Sequence, residues 1–267
     1  MKIMNRVSLT IENQVARVVL DREEKHNALD FEMFQAIEGA QRVLARERGL
    51  RAVVLSGAGI DFCSGIDVKA LIKNRGAMLR LLWKWLPWRA NLAQRIGVGW
   101  RRLPLPVFAA IRGRCWGGGL QVALGADFRI VHPQASLSVM EARWGLIPDM
   151  GGTLALRESL GRDQALWLAM SAEEFSGTRA AELGLATALA EDPVATALEA
   201  ARQLLERSPD TVAATKRLYR KSWTGSTGLA LARESWYQVR VLRGANQRIA
   251  VRRQMGGDAP YEDAVKW

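Results

Sequence analysis

The chain has 267 residues, 49% of them apolar, which is enough for one substantial hydrophobic core. It contains no run of about 18 or more uncharged apolar residues, so no membrane-spanning helix is expected. Two cysteines, Cys63 and Cys115, cannot build a disulfide framework, and no Cys/His cluster has metal-ligand spacing. The net charge of +11 attracts polyanions such as nucleic acid, acidic lipid or a phosphorylated cofactor, but no nucleic-acid-binding motif is present.

The first part of the chain alternates strand, helix and loop patterns. Residues 6–20 predict two short strands joined by a turn, residues 28–48 a helix, and residues 51–56 an apolar strand. A glycine-rich loop, 57–67, follows. The N-terminus has neither an apolar signal region nor a cleavage site, which predicts a cytoplasmic protein.

Residues 68–99 are helical by composition and interrupted at Pro87. Trp83, Trp85 and Trp88 alternate there with Lys and Arg, and basic residues are dense from 69 to 102 and again from 240 to 253. Such a helix packs its aromatic side chains on the domain or a neighbouring subunit, lines an acyl pocket, or makes peripheral contact with a membrane through residues 72–100. All three interpretations remain open at this point.

The remaining elements run from mixed to helical. We predict strands at 107–111, 127–131 and 135–139 and a helix at 120–126. Further helices are predicted at 154–160, 163–170, 178–183, 193–206, 209–223 and 226–243. The class is therefore α/β, with a core over residues 1–190 and a helical C-terminal region over residues 191–267 that belongs to the same functional unit.

Two glycine loops each follow a short strand, and this suggests a shared role. The first contains Ser64-Gly65-Ile66 and the second Gly117-Gly118-Gly119. If their backbone N–H groups converge, they stabilise a developing enolate or alkoxide as an oxyanion hole. Two ordinary turns remain the alternative on spacing alone.

Three segments carry a resemblance to a known family: DFCSGIDVK at 61–69, IRGRCWGGGL at 111–120 and EARWGLIPDMGGT at 141–153. They resemble the crotonase superfamily, the enoyl-CoA hydratase/isomerase group. The resemblance covers nearly the whole chain. It implies a ββα spiral core, assembly as a homotrimer or dimer of trimers, an acyl-CoA thioester substrate, and no cofactor beyond the CoA of the substrate.

The resemblance also assigns residues. It places the oxyanion-hole donors on the amides of Ile66 and Gly118. The residues that would face CoA are Lys25, Ala28, Gly65 and Asp67, and Tyr261 in the tail would touch the CoA of a neighbouring subunit.

The reaction depends on two acidic positions in the hydratases that this chain resembles. Here the first is Gln121, which cannot be a general base but has an amide able to hold a water, and the second is Glu141. Isomerases are similar in keeping only the later glutamate. We therefore predict double-bond isomerisation with Glu141 as base, its pKa raised by burial among residues such as Trp144 and Leu146. A salt bridge with Arg143 is the structural alternative for Glu141.

Asp149 lies eight residues after Glu141, a spacing that resembles dienoyl-CoA isomerases, so it is assigned an assisting catalytic role. Capping the helix that follows is the alternative. Hydration of a 2-enoyl-CoA, with Gln121 holding water, is the second choice of reaction. An RNA- or polyanion-binding relative is the second class of function.

Overall fold

A computed structural model describes residues 2–72 and 75–265. In this part of the chain the strands are β1 Lys2–Met4, β2 Val7–Glu12, β3 Val15–Leu20, β4 Ala52–Gly57, β5 Val107–Ile111, β6 Arg114–Trp116, β7 Phe128–Val131, β8 Ser136–Ser138, β9 Phe175–Ser176 and β10 Ala188–Leu189.

The helices alternate with these strands at first and then follow one another. They are α1 Phe31–Leu44, α2 Val68–Ile72, α3 Arg75–Leu82, α4 Leu92–Arg102, α5 Gly118–Ala123, α6 Gly152–Ser159, α7 Arg162–Ser171, α8 Gly177–Glu182, α9 Pro193–Leu205, α10 Pro209–Ser222, α11 Thr227–Leu242 and α12 Ala245–Gln254. Two short 3-10 helices cover Glu23–Lys25 and Met140–Trp144.

The main sheet has seven strands in the order β1-β2-β3-β4-β5-β7-β10 across the described residues. β1, β2 and β3 pair antiparallel, and the strands from β3 to β10 pair parallel. A second sheet, in the order β6-β8-β9, stands beside it. The parallel strands send their following loops to one edge of the main sheet, where the candidate site lies.

The predicted hairpin and first helix are confirmed, with shifted ends. Asn13 and Gln14 both have positive φ, 49° and 66°, as a two-residue type I′ turn requires. The helix predicted over 28–48 spans Phe31–Leu44, because the Asp30 side chain accepts a hydrogen bond from the Met33 amide at 2.8 Å and fixes its start.

The central strands are buried on both faces. In β4, Val53 and Leu55 face the large core, whereas Ala52 and Val54 face a smaller core that contains Ala197 of α9. Because successive strand residues point to opposite faces, an uninterrupted apolar run is needed here. α9 lies beyond the predicted boundary at 190 and covers one face of this sheet.

Several predicted elements differ from those observed. Residues 68–99 were expected to be helical and broken at Pro87; the break is wider than expected, since residues 83–91, between α3 and α4, are not helical. The helix predicted from residue 120 begins inside the glycine triplet, at Gly118. The helix α12 and the strands β1, β6, β9 and β10 were missed; strands of two or three residues have too little periodicity to be recognised.

None of the helices in the described ranges combines the length and the apolar character needed to cross a bilayer.

Candidate active site

The two glycine loops lie against each other. The Trp116 amide donates to the Cys63 carbonyl at 3.0 Å, which joins the end of β6 to the first loop. A Cβ atom on Gly65 would lie 2.9 Å from the Trp116 carbonyl oxygen and 3.8 Å from the Gly118 nitrogen, and one on Gly119 would lie 2.5 Å from the Cys63 carbonyl oxygen. Only glycine permits this approach, so the interpretation as two unrelated turns is wrong.

The structure brings the two expected oxyanion donors together. A Cβ on Gly118 would stand 3.2 Å from Cγ1 of Ile66. At the β-bridge between Leu29 and Ile66, the Leu29 amide donates to the Gly65 carbonyl, and the Leu29 carbonyl accepts from the Asp67 amide. The Ile66 amide takes no part in this bridge. Among the described residues neither the Ile66 amide nor the Gly118 amide donates a hydrogen bond. Both groups are thus available to an oxygen of a bound molecule.

Glu141 lies beside this pair in the 3-10 helix Met140–Trp144 and is 6% exposed. Its Oε1 accepts a hydrogen bond from Gln121 Nε2 at 2.6 Å, and a Cβ on Gly117 would lie 3.5 Å from the same oxygen. Its Oε2 is buried and meets no hydrogen-bond partner among the described residues. Burial raises the pKa of Glu141 above its ordinary value, and the Gln121 hydrogen bond offsets part of that rise.

The structural alternative for Glu141 is wrong. Arg143 instead pairs with Glu174 at 3.1 Å and donates to the Ala172 carbonyl at 3.0 Å. The expected source of burial is also wrong, since Trp144 and Leu146 are 63% and 56% exposed. Glu141 is enclosed by Gly117 and by the segment that carries Gln121.

Gln121 holds two parts of the site together. Its Oε1 accepts hydrogen bonds from the amides of Met150 at 2.8 Å and Gly152 at 3.0 Å. Those two donors identify the oxygen of the side-chain amide, so its nitrogen faces Glu141. The oxygen of the amide that was expected to hold a water is therefore occupied, and one N–H of that amide remains for another partner.

Asp149 does not cap the helix that follows it. The N-cap of α6 is Gly151, and no side chain caps this helix. The Asp149 side chain is exposed at the protein surface, and partial desolvation raises its pKa while the charge of Lys84 opposes the rise. The negative charge of Asp149 also contributes to the rise in the pKa of Glu141, so the two carboxylates interact electrostatically.

The residues expected to face CoA gather at the first loop. Lys25 is exposed at the end of a 3-10 helix, and Ala28 follows on the same turn. Arg22, a buried cation that sequence reasoning missed, donates to the Ala28 carbonyl at 3.0 Å and to Asp67 Oδ2 at 2.9 Å. Partial burial raises the pKa of Asp67, but the hydrogen bond from the Ala70 amide and the charge of Arg22 lower it by more, so the net shift is downward. The Asp67 carboxylate therefore anchors the loop.

The same loop contains a second pair that sequence reasoning missed. His26 adopts a left-handed conformation with φ of 52°, and its Nδ1 lies 2.8 Å from Asp61 Oδ2.

The interpretation of Cys63 as a small buried hydrophobic residue is supported, because burial raises the pKa of its thiol to about 12.

Tyr261 is placed apart from these residues. It lies between the guanidinium groups of Arg51 and Arg253, 5.8 Å and 4.9 Å from its ring centre. Arg51 precedes β4, whereas Gly65 follows that strand, so the two lie toward opposite ends of the sheet. The expected contact of Tyr261 with the CoA of a neighbouring subunit stays a prediction.

A cavity of about 580 Å³ lies elsewhere, between α4, α6, β7 and the C-terminal helices. Its lining includes Arg101, Lys216 and Trp223 and none of the residues of the two glycine loops. Within residues 2–72 and 75–265, no three Cys, His, Asp or Glu side chains form a group of the kind that holds a metal.

Comparison with known proteins agrees with the fold. The profile of the enoyl-CoA hydratase/isomerase family matches residues 10–246, and the chain belongs to that family, within the crotonase superfamily that its motifs predict.

Relatives with names support the assignment. A probable enoyl-CoA hydratase of Bacillus subtilis (strain 168) is 31% identical over 214 residues, 79% of this chain and 80% of the relative. The hydroxycinnamoyl-CoA hydratase-lyase of Pseudomonas fluorescens is 29% identical over 221 residues, 80% of this chain and 78% of the relative. The crystal structure of an enoyl-CoA hydratase from Polaromonas sp. JS666 superimposes with a TM-score of 0.84 at 29% identity, covering 95% of this chain and 98% of that one.

Proposed function

We propose that this enzyme moves a double bond in an enoyl- or dienoyl-CoA through a thioester enolate. The observation that carries the proposal is the environment of Glu141: one carboxylate oxygen held by Gln121, the other buried without a partner, and no carboxylate at position 121. One base suffices for isomerisation, because the proton that it removes from one carbon can be returned to another.

In this mechanism the substrate carbonyl oxygen lies between the amides of Ile66 and Gly118. Glu141 Oε2 removes a proton from the carbon next to the carbonyl, and the electron pair of that C–H bond forms the enolate. The two amides stabilise the negative charge on oxygen as it develops. The carboxylic acid then returns the proton to the far end of the conjugated system, which shifts the double bond and restores the carboxylate.

Asp149 assists in this proposal when the conjugated system is longer. It lies near enough to Glu141 to affect its pKa, and its exposed side chain is not used by α6. A second carboxylate at that position can deliver a proton at a carbon that Glu141 does not reach.

Products distinguish the candidate reactions. When the enzyme is incubated with 2-enoyl-, 3-enoyl- and 3,5-dienoyl-CoA, we expect isomers with a moved double bond, identified by chromatography and mass spectrometry. Asp149→Asn should slow only the dienoyl substrate if that carboxylate assists. Hydroxyacyl-CoA as the sole product would refute isomerisation.

The second candidate function is hydration of a 2-enoyl-CoA. The names of the two relatives, a hydratase and a hydratase-lyase, favour it. Hydration requires water to be activated at one carbon and a proton to be delivered at the next, which a pair of acidic groups does more readily than one. Here the position of the second acid is an amide whose oxygen is occupied by Met150 and Gly152.

Gln121→Glu tests this distinction directly. A carboxylate at 121 would keep the two amide donors and place an oxygen close to Glu141, where Nε2 now lies at 2.6 Å. Two such groups share a proton, which supplies an acid and a base together. We expect hydroxyacyl-CoA formation from 2-enoyl-CoA to rise by at least about tenfold.

The matched control is Gln121→Met, which keeps the size of the side chain but removes its oxygen. It should not gain hydration. If the Glu variant hydrates no faster than the wild type, the amide at 121 is not what limits hydration.

For assembly we propose a homotrimer or a dimer of trimers. The support is the exposed apolar surface of α11, on which Leu229, Leu231 and Trp236 are 56%, 57% and 67% exposed. Leu229 and Trp236 lie seven residues apart on one face of the helix, and exposed apolar side chains of this kind are typical of subunit contacts.

A further inference from the structure

The net positive charge of the protein comes from one part of the chain. The sequence has 38 Lys and Arg and 27 Asp and Glu; residues 68–126 contain 11 of those cations and no acid. The remaining 27 cations therefore equal the 27 acids. Residues 68–126 therefore carry a charge equal to the whole excess, and although residues 240–253 are basic as well, this is the longer basic segment and is expected to attract polyanions.

Within this basic segment, residues 78–89 form what we term the tryptophan edge. Three indole side chains project from it: Trp83, Trp85 and Trp88 are 70%, 84% and 78% exposed. Aliphatic side chains accompany them, with Leu79 at 73% and Leu82 at 52%. Side chains this exposed are not enclosed by the described part of the chain.

The edge is anchored from below. Leu81 and Leu92 are buried in the main core, at 4% and 7% exposed, and Asn91 caps α4 with its side chain. The tryptophans therefore project from a segment fixed at both of its ends by packing and capping. A surface that is anchored underneath and apolar outside needs a partner.

Exposed cations flank the tryptophans. They are Lys69, Arg80, Lys84 and Arg89. Among the described residues none of the four lies within 4.0 Å of a carboxylate, unlike Arg95, which pairs with Glu38. They form no ion pair within the described residues, so a partner that covers this surface is expected to carry negative charge.

This charge pattern argues against the other partners. A two-fold contact that placed this surface against itself would bring like charges together, which opposes such a dimer, and the trimer proposed above uses α11 instead. Nucleic acid offers phosphates, and bases stack on indoles. Leucine side chains, however, gain nothing from stacking and require an apolar phase.

We propose that the tryptophan edge binds the surface of an anionic lipid bilayer. Indole rings prefer the boundary between headgroups and acyl chains, leucines insert below it, and lysines and arginines reach the lipid phosphates. Binding of this kind depends on the sum of buried apolar area and electrostatic attraction, and both are present at the same edge.

The position of the edge gives the contact a role. α2 begins two residues after Ile66, one of the paired amides, and the charge of Lys84 acts on Asp149. The edge therefore borders the candidate active site. A bilayer bound there would bring an acyl-CoA, itself an amphiphile that partitions into lipid, to the entrance of that site.

Vesicle binding tests the proposal without any measurement of turnover, so its outcome is independent of the proposed function. We expect the intact protein to sediment with vesicles of phosphatidylglycerol and phosphatidylcholine but not with phosphatidylcholine alone. Bound fraction should fall as salt rises. Phospholipids brominated on their acyl chains should quench tryptophan fluorescence, which requires indoles at the acyl boundary rather than adsorption by charge alone.

A pair of double variants locates the contact. Trp85→Ser with Trp88→Ser should lower the vesicle partition coefficient by at least about tenfold. The matched control, Trp167→Ser with Trp223→Ser, changes side chains that are 63% and 60% exposed, in α7 and at the end of α10, and should leave binding unchanged. Thermal unfolding of each variant checks that the fold is retained.

Three results would overturn the proposal. The first is that the wild-type protein fails to bind anionic vesicles. The second is that both double variants lose binding equally, or that neither loses it. The third is that a single-stranded RNA oligonucleotide binds at this edge while vesicles do not.

Discussion

Glu141→Gln is expected to lower kcat by about three orders of magnitude while leaving the Kd for acyl-CoA nearly unchanged. Gln keeps the size and shape of the side chain, so its carbonyl oxygen can still accept the hydrogen bond from Gln121 that Oε1 accepts at 2.6 Å. What it loses is the ability of the second, unpartnered oxygen to take a proton. Product formation at saturating substrate measures kcat, and isothermal titration calorimetry with a saturated acyl-CoA measures binding.

The raised pKa of Glu141 gives this prediction a pH dependence. Only the ionised form is a base, so kcat/KM of the wild type should decline on the acid side with a midpoint above the ordinary Glu value of about 4.3. The stability effect has the opposite sign. Because the folded state holds the proton more tightly than the unfolded chain, ionisation costs stability as pH rises through the folded pKa. Gln at 141 removes that loss, and the variant should be at least as stable as the wild type at neutral pH.

Glu174→Gln is the matched control, since Glu174 is an exposed carboxylate that pairs with Arg143. It should retain wild-type turnover. If Glu141→Gln turns over at the wild-type rate, Glu141 has no part in the mechanism.

Gly119→Ala is expected to lower kcat/KM by about a hundredfold, comparable with the loss of one oxyanion-hole donor. The added Cβ would lie 2.5 Å from the Cys63 carbonyl oxygen and 2.7 Å from its Cβ, so the first glycine loop must move. That loop carries the Ile66 amide, which would then no longer face Gly118. Overpacking of this kind also costs about 1–3 kcal/mol of stability, measurable by denaturant unfolding.

Gly228→Ala supplies the comparison. A Cβ on Gly228 would meet no atom within 4 Å, and the residue lies in α11 away from the glycine loops. Its turnover should be unchanged, and its stability should be equal or higher by up to about 1 kcal/mol, since alanine is the better helix former. If Gly119→Ala behaved like this control, close contact of the two loops would not be required for catalysis.

The parts of the fold that sequence predicted are those with strong local signals. The β2–β3 hairpin has alternating apolar residues around a two-residue turn, and the interior of β5 is an uninterrupted apolar run. Helices such as α9 and α10 have recognisable starts, with Asp192 or Ser208 capping and proline next to the cap. These signals lie within a few residues of one another, so no knowledge of the fold is needed to read them.

What sequence did not predict depends on contacts between distant residues. Gln121 bonds to Glu141 and to the amides of Met150 and Gly152, 20 to 31 residues away, and no local pattern encodes such a set. Arg22 was missed for the same reason, since its partner Asp67 lies 45 residues further on. The candidate site residues themselves came from motifs shared with a family, which identify positions but not the partners of each side chain.

The hydrogen bonds from Met150 and Gly152 need only an oxygen on residue 121, and both Gln and Glu supply one. Codons for these two amino acids differ by a single base. The amides of Met150 and Gly152 can therefore bond to either residue, even though replacing Gln121 with Glu changes the charge beside Glu141. A single nucleotide substitution is enough to convert the amide at position 121 into a carboxylate. Under the proposed mechanism, a lineage built on this scaffold could change between isomerisation and hydration without rebuilding its core, which fits a family whose name joins hydratases with isomerases.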